Sequence, residues 1–177
     1  VLAADAWGHG ENLVREVLET EGLAAAPDET VASIDGGELY GLGGAGTPVL
    51  RLMGTVLSVK ALRAGEGVSY GYAYRAPADT RIALVTGGYA QGIVRALGGA
   101  VDVGIAGDRH RIVGRVAMDV CVVEIADAVT ERGDEVLFLG DPAQGEPSLD
   151  GWVGATGLTA AELITVVGLR ARRVDAA

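Results

Sequence analysis

Between Val49 and Leu139 the sequence is a series of short apolar runs, each cut off by glycine, aspartate or proline. That punctuation constrains the fold more than any other feature of the chain. The runs 49–62, 68–74, 82–86, 101–106, 111–125 and 135–139 are rich in Val, Ile, Leu and Tyr, residues that suit a pleated, half-buried surface. Glycine supplies most of the breaks. It accounts for 28 of 177 residues, well above the usual share of roughly 7%, which predicts many turns and tight loops rather than long helices. Gly107-Asp108 falls between two runs and marks a hairpin turn. Many short strands leave many edges unless the sheet closes on itself. The expected fold is therefore mainly β, a closed or nearly closed barrel, with a short helical segment at the N-terminus.

That helical segment is read from Gly10 to Gly22, where Leu13, Val17 and Leu18 form one apolar face and Gly22 is a stop. Pro27-Asp28-Glu29 reads as a turn or linker. Gly41-Leu42-Gly43-Gly44-Ala45-Gly46 spells the glycine fingerprint of dinucleotide sites. The fingerprint works only between a strand and a following helix, and here Thr47-Pro48 leads into a strand-like run instead, so the match is rejected. Near the C-terminus, residues 148–161 suit short helical pieces, with Thr159 as a cap.

Charge and cysteine content exclude several classes of function. The net charge is −10 and the basic residues are scattered, apart from Arg170, Arg172 and Arg173, which argues against a nucleic-acid partner. The most apolar stretch, 155–169, is interrupted by Glu162 and falls short of the roughly 18 apolar residues of a membrane span. A soluble, cytoplasmic protein is expected. The chain starts at Val1 and shows no leader, which reads as a trimmed chain or a fragment. Cys121 is the only cysteine, so no internal disulfide or cysteine-based zinc site is expected, and its valine neighbours suggest a buried strand thiol.

Three motifs carry candidate chemistry: Gly67-Val68-Ser69-Tyr70-Gly71, Gly88-Tyr89-Ala90-Gln91-Gly92 and Gly114-Arg115-Val116-Ala117-Met118-Asp119. On a regular strand Tyr70, Tyr72 and Tyr74 point to one face and, without further context, read as a stripe packing a barrel interior. For Tyr89 the plain reading is a turn aromatic between two glycines, and for Met118 ordinary strand packing. A tyrosine that works as a base near neutrality needs a cation or hydrogen bonds that favour phenolate, since its unperturbed pKa is roughly 10. No arginine adjoins Tyr70 in sequence, so that cation has to come from the fold.

In order and spacing, the three motifs resemble the C-terminal β domain of alanine racemase. The resemblance implies that Tyr70 is one of two catalytic bases, that Tyr89 lines the substrate entrance, and that the Met118 amide, with Asp119 beside it, holds the carboxylate of a small amino acid. It also implies pyridoxal phosphate, bound as a Schiff base to a lysine, as the electron sink for interconverting L- and D-alanine. The first ten residues, 1–10, resemble the family's lysine loop, with Ala3 where the cofactor lysine falls and Trp7 at an aromatic position. Lys60 is the only lysine in the chain, lies in a strand-like run and is a poor substitute. His9 is a metal or acid-base candidate in principle, but with only His110 for company it reads as a loop histidine, and no metal site is expected. The segment around Leu39-Tyr40-Gly41 resembles the family's exit from its cofactor-binding barrel. Only about 30 residues separate Gly10 from it, against the roughly 200 or more such a barrel needs. Residues 155–174 resemble the closing segment, with Ala161 where a phosphate-binding tyrosine is expected; Gln91 and Ala117 replace an aspartate and a cysteine. The expected organisation is a barrel-domain remnant over 1–40 and a β domain over 41–177. Such a chain is not a self-sufficient racemase and does not hold the cofactor alone. It pairs with itself or with a complete racemase-type barrel, and the alternative is a non-catalytic binding or dimerisation module.

Overall fold

The computed structural model describes residues 2–26, 34–44 and 46–174; the turn expected at residues 27–29 lies outside them. Six antiparallel strands close into a barrel in the order β1 (Leu52–Leu62), β4 (Thr80–Thr86), β7 (Val120–Glu124), β6 (Asp108–Val113), β5 (Asp102–Ile105) and β8 (Glu135–Leu139). Closure rests on β1, whose first half pairs with β8 and whose second half pairs with β4. Its register shifts between Val56 and Ser58; an irregularity of this kind lets one strand turn the corner between two partners. The strands bring Val56, Val85, Val103, Ile112, Val123 and Phe138 into a core with almost no solvent contact. Trp152 of α4 (Leu149–Thr156), together with Leu163 and Val167 of α5 (Ala160–Arg170), belongs to the same core. Thr159 caps α5, as read from the sequence, and forms a capping box with Glu162, while Ser148 is the N-cap of α4; α5 runs on to Arg170, beyond the helical stretch 148–161 read from the sequence. Cys121 is buried on β7, and burial pushes its thiol up to about 12.

Two strand readings need correction. Residues 68–74 are not one strand but a two-residue β2 (Gly67–Val68), a 3-10 turn over Tyr70–Tyr72 and a two-residue β3 (Tyr74–Arg75). Ser69, Gly71 and Tyr72 all take positive φ, at 65°, 71° and 48°, and a chain in that conformation cannot continue a pleat. The three tyrosines therefore share no face, and Tyr70 and Tyr72 are exposed rather than inside the barrel. The run 111–125 is likewise two strands, parted where Gly114 adopts φ +70°. The hairpin between β5 and β6 turns on Ala106 and Gly107, one residue earlier than read, because Ile105 pairs directly with Asp108.

The N-terminal segment carries α1 (Ala3–Gly8), α2 (Glu11–Thr20) and the short α3 (Gly36–Leu39). Ala4 to Trp7 form a left-handed turn, with φ between 52° and 57°. The Asp5 carboxylate accepts the Glu11 N–H at 2.7 Å and so ties this turn to α2. α2 ends before Gly22, in the positive-φ region, and matches the helix read from the sequence. The Gly41–Gly46 segment follows α3 and precedes β1, which is the reverse of the context a dinucleotide fingerprint needs. No single described helix is long and apolar enough to cross a membrane.

Candidate active site

The three motifs meet along one exposed edge of the barrel. Ser69 turns its hydroxyl back to accept the Arg115 N–H at 2.7 Å, which ties the Tyr70 turn to the loop between β6 and β7. That loop is tied in turn to the segment after β4. Tyr89 and Ala90 donate their N–H groups to the carbonyls of Ala117 and Met118, at 3.0 and 2.9 Å, and Gly87 donates to Asp119 at 3.0 Å. Gly88 makes this contact possible, since a Cβ there would lie 2.1 Å from the Met118 carbonyl oxygen. Residues 46 apart in sequence, and others 28 apart, thus become neighbours.

On this edge Tyr70 is 68% exposed, Met118 54% and Tyr89 40%, and Asp119 is exposed as well. The Met118 carbonyl takes the Ala90 N–H, while its own N–H has no partner among the described residues and is available to an acceptor outside the chain. Gln91 joins two loops with one amide: its oxygen accepts from Gly88 N–H at 3.0 Å and its nitrogen donates to Asp119 at 3.1 Å. A carboxylate at that position has no hydrogen to offer Asp119.

Three arginines lie near these aromatic turns. Arg115 lies beside the Tyr70 turn, 4.0 Å from where a Cβ on Gly71 would stand. Arg75 packs over the Tyr72 ring at 5.5 Å and Arg95 over the Tyr89 ring at 5.6 Å, both within cation–π range. Sequence reasoning passed over Arg115 although it stands inside a quoted motif. Its place beside Ser69 and Gly71 depends on a long-range contact that local pattern does not encode.

The lysine-loop-like segment packs elsewhere. Trp7 stacks on Tyr40 at 5.3 Å, the Tyr40 hydroxyl donates to Ala6 O, and His9 lies 5.2 Å from the Tyr40 ring. His9 is buried rather than an open loop residue, with Nε2 3.2 Å from the Ile164 carbonyl of α5. Burial, reinforced by Arg173, holds its imidazole below the ordinary histidine range, against the opposing pull of the Ile164 hydrogen bond. Neutral His9 thus donates Nε2–H to that carbonyl. Burial, together with Asp5, pushes the Tyr40 phenol up against the opposing pull of Arg173. A groove of about 1380 Å³ runs over the open end of the barrel from Gln91 and Asp119 to His9 and Arg173.

The residues present do not fit pyridoxal phosphate. Ala3 offers no amine, Ala161 in the first turn of α5 offers no hydroxyl, and Lys60 on β1 lines a separate cleft and not the groove.

Residues 49–175 match the family model described as alanine racemase, C-terminal domain. The chain is 36% identical over 163 residues to an alanine racemase of Thermobifida fusca, covering 92% of this chain and 40% of that protein. Among solved structures it is similar to the alanine racemase of the D-cycloserine-producing Streptomyces lavendulae, with a TM-score of 0.67 and 41% identity over 71% of this chain and 33% of that one. It is also similar to the Bartonella henselae alanine racemase solved with covalently bound pyridoxal phosphate, with a TM-score of 0.70 and 27% identity over 78% of this chain and 40% of that one. The chain therefore spans less than half the length of these relatives.

Proposed function

The chain belongs to the alanine racemase family through its C-terminal domain, and from that premise we propose that it supplies half of an active site and is not a racemase by itself. The observation that carries this reading is the exposed edge, where the loops of Tyr70, Tyr89, Met118 and Asp119 are bonded together and all four side chains lie exposed among the described residues. A general base needs its substrate held within hydrogen-bond reach, and an edge this open acquires such a substrate only when a second surface closes over it. In this reading Tyr70 is the base, the free Met118 N–H and its neighbour Asp119 hold the carboxylate of a small amino acid, and Tyr89 lines the entrance.

A partner that offers a lysine would hold pyridoxal phosphate, which would supply an electron sink. This chain's part is to hold and move a proton at the Tyr70 hydroxyl. Residues 1–40 act as the remnant of a barrel domain and 41–177 as the β domain. The partner is a second copy or a complete racemase-type barrel. Docking takes precedence over catalysis, because α2 leaves Leu13 and Val17 exposed at 42% and 55% on its apolar face, a surface suited to burial against another chain.

The test mixes the protein with a racemase barrel that lacks its own β domain. A complex should sediment as one species, and racemisation should appear. Tyr70→Phe should leave the complex intact while cutting the rate by about 10²-fold or more, the usual contribution of one acid-base group. Complex formation with equal activity from both proteins would remove Tyr70 from the chemistry and leave the non-catalytic docking module. Absence of any complex would overturn both readings.

A further inference from the structure

A second cleft lies on the outer wall of the barrel, apart from the edge and the groove. Ser58 and Lys60 of β1 stand opposite Leu84 and Ile82 of β4, and Val122 of β7 continues the row beyond Leu84. The β2–β3 ribbon folds over this wall, with Val68 packed against Ile82 in a small cluster of its own. Between ribbon and wall remains a cleft of about 320 Å³, at the lower end of the range of about 300–1,000 Å³ in which small molecules are held. Its apolar lining is Val68, Ile82, Leu84 and Val122; the polar lining residues are Lys60, Ser58, Tyr72 and Ser69, and of these Ser69 already accepts the Arg115 N–H, which leaves one ammonium and two hydroxyls without a partner among the described residues.

We propose that this cleft binds a small monocarboxylate with an apolar body, the carboxylate on Lys60 and the body on the apolar lining. Three observations favour an anion of this shape. Lys60 has no acidic partner among the described residues, whose ion pairs are Arg15–Glu11, Arg51–Glu146 and Arg111–Asp102. The acid nearest along the row is Glu124, opposite Ile82 and so two strands from Lys60, roughly 10 Å at the usual strand spacing; it already accepts the Tyr74 hydroxyl at 2.9 Å. A second cation, Arg75, stacks on the ring of Tyr72, one of the lining residues. An ammonium beside two hydroxyls recognises a carboxylate, while four aliphatic side chains favour a hydrocarbon body over a compact oxyanion such as phosphate.

The cleft does not rest on the racemase reading, yet it touches the same turn. Ser69 also lines it, and Ser69 and Tyr72 flank Tyr70.

The single lysine gives the test a clean reporter. A chain labelled with ¹³C only at lysine shows one side-chain ε-CH₂ resonance, and it is titrated with isovalerate and phenylacetate. Acetate, inorganic phosphate and phenylacetamide serve as comparison probes. A saturable shift is expected for the two apolar carboxylates only. In Lys60→Gln, followed through the methyls of Ile82 and Leu84, affinity should fall roughly 10-fold, the share of one charge-assisted hydrogen bond. Leu84→Trp, which fills the cleft and keeps the lysine, should abolish the shift. Absence of saturation with either apolar carboxylate overturns the proposal. So do equal shifts with acetate or phosphate, which would reduce Lys60 to an exposed surface cation, and equal binding of the amide, which would remove the charge from the site.

Discussion

From Leu52 to Leu139 the chain buries Val56, Val103, Ile112 and Phe138 inside a closed ring of strands, whereas α2, the longest helix of the N-terminal segment, buries no residue at all. Both stretches carry regular apolar periodicity, and only one has something to put it against. The barrel makes its own core, so its stability is internal. Within the N-terminal segment Trp7 and Ala6 meet Tyr40, and the segment is held to the rest of the chain chiefly by α1 on α5, with His9 on the Ile164 carbonyl and Gly8 beside Leu169. Periodicity shows which face of a helix seeks burial, and not whether this chain supplies the partner.

The contrast should survive a direct attack on the core. Trp152 is 1% exposed within the barrel's core cluster, and Trp152→Ala should cost about 3–5 kcal/mol in denaturant unfolding, the usual range for emptying so large a site. A cost near that of a surface substitution would mean that the helices sit on the barrel without sealing it. Acid should act on the other region. Because burial lowers the folded pKa of His9 from the usual 6.5, the unfolded chain takes up a proton, between 6.5 and that lowered value, that the folded chain refuses. Stability contributed by His9 is therefore complete above 6.5 and declines as pH falls through this window. Amide exchange should rise in α1 and at Tyr40 while barrel amides hold, and His9→Gln should remove the pH dependence. Simultaneous loosening of the barrel would erase the distinction. The smallest effect belongs to α2. At concentrations where the chain is monomeric, Leu13→Ser and Val17→Ser should each change stability by no more than about 0.5 kcal/mol; a loss well beyond that would show that the helix packs against something after all.

The barrel was legible because β-branched runs and glycine breaks are local signals. Closure was expected, but the strand order was not, since pairing β8 with both β1 and β5 is a long-range event. The failure at residues 68–74 has a specific cause. Tyr70, Tyr72 and Tyr74 alternate as in a strand, and nothing in Ser69 or Tyr72 announces a positive φ, which non-glycine residues adopt only when their surroundings impose it. Here the Ser69 to Arg115 hydrogen bond is part of those surroundings. At the candidate site the motifs named the residues, while the bonds joining them, Gln91 to Asp119 above all, became visible only once the loops were side by side.

The left-handed turn at Ala4 to Trp7 bears on the order in which the molecule assembles. Each L-residue in that conformation costs roughly 1–2 kcal/mol relative to its right-handed form, so the turn cannot nucleate alone in an unfolded chain. It waits for Tyr40 and α5 to offer a finished template. The chain's first residues in sequence are thus expected to be among the last to order, which a later return of amide protection in α1 than in the barrel strands would show.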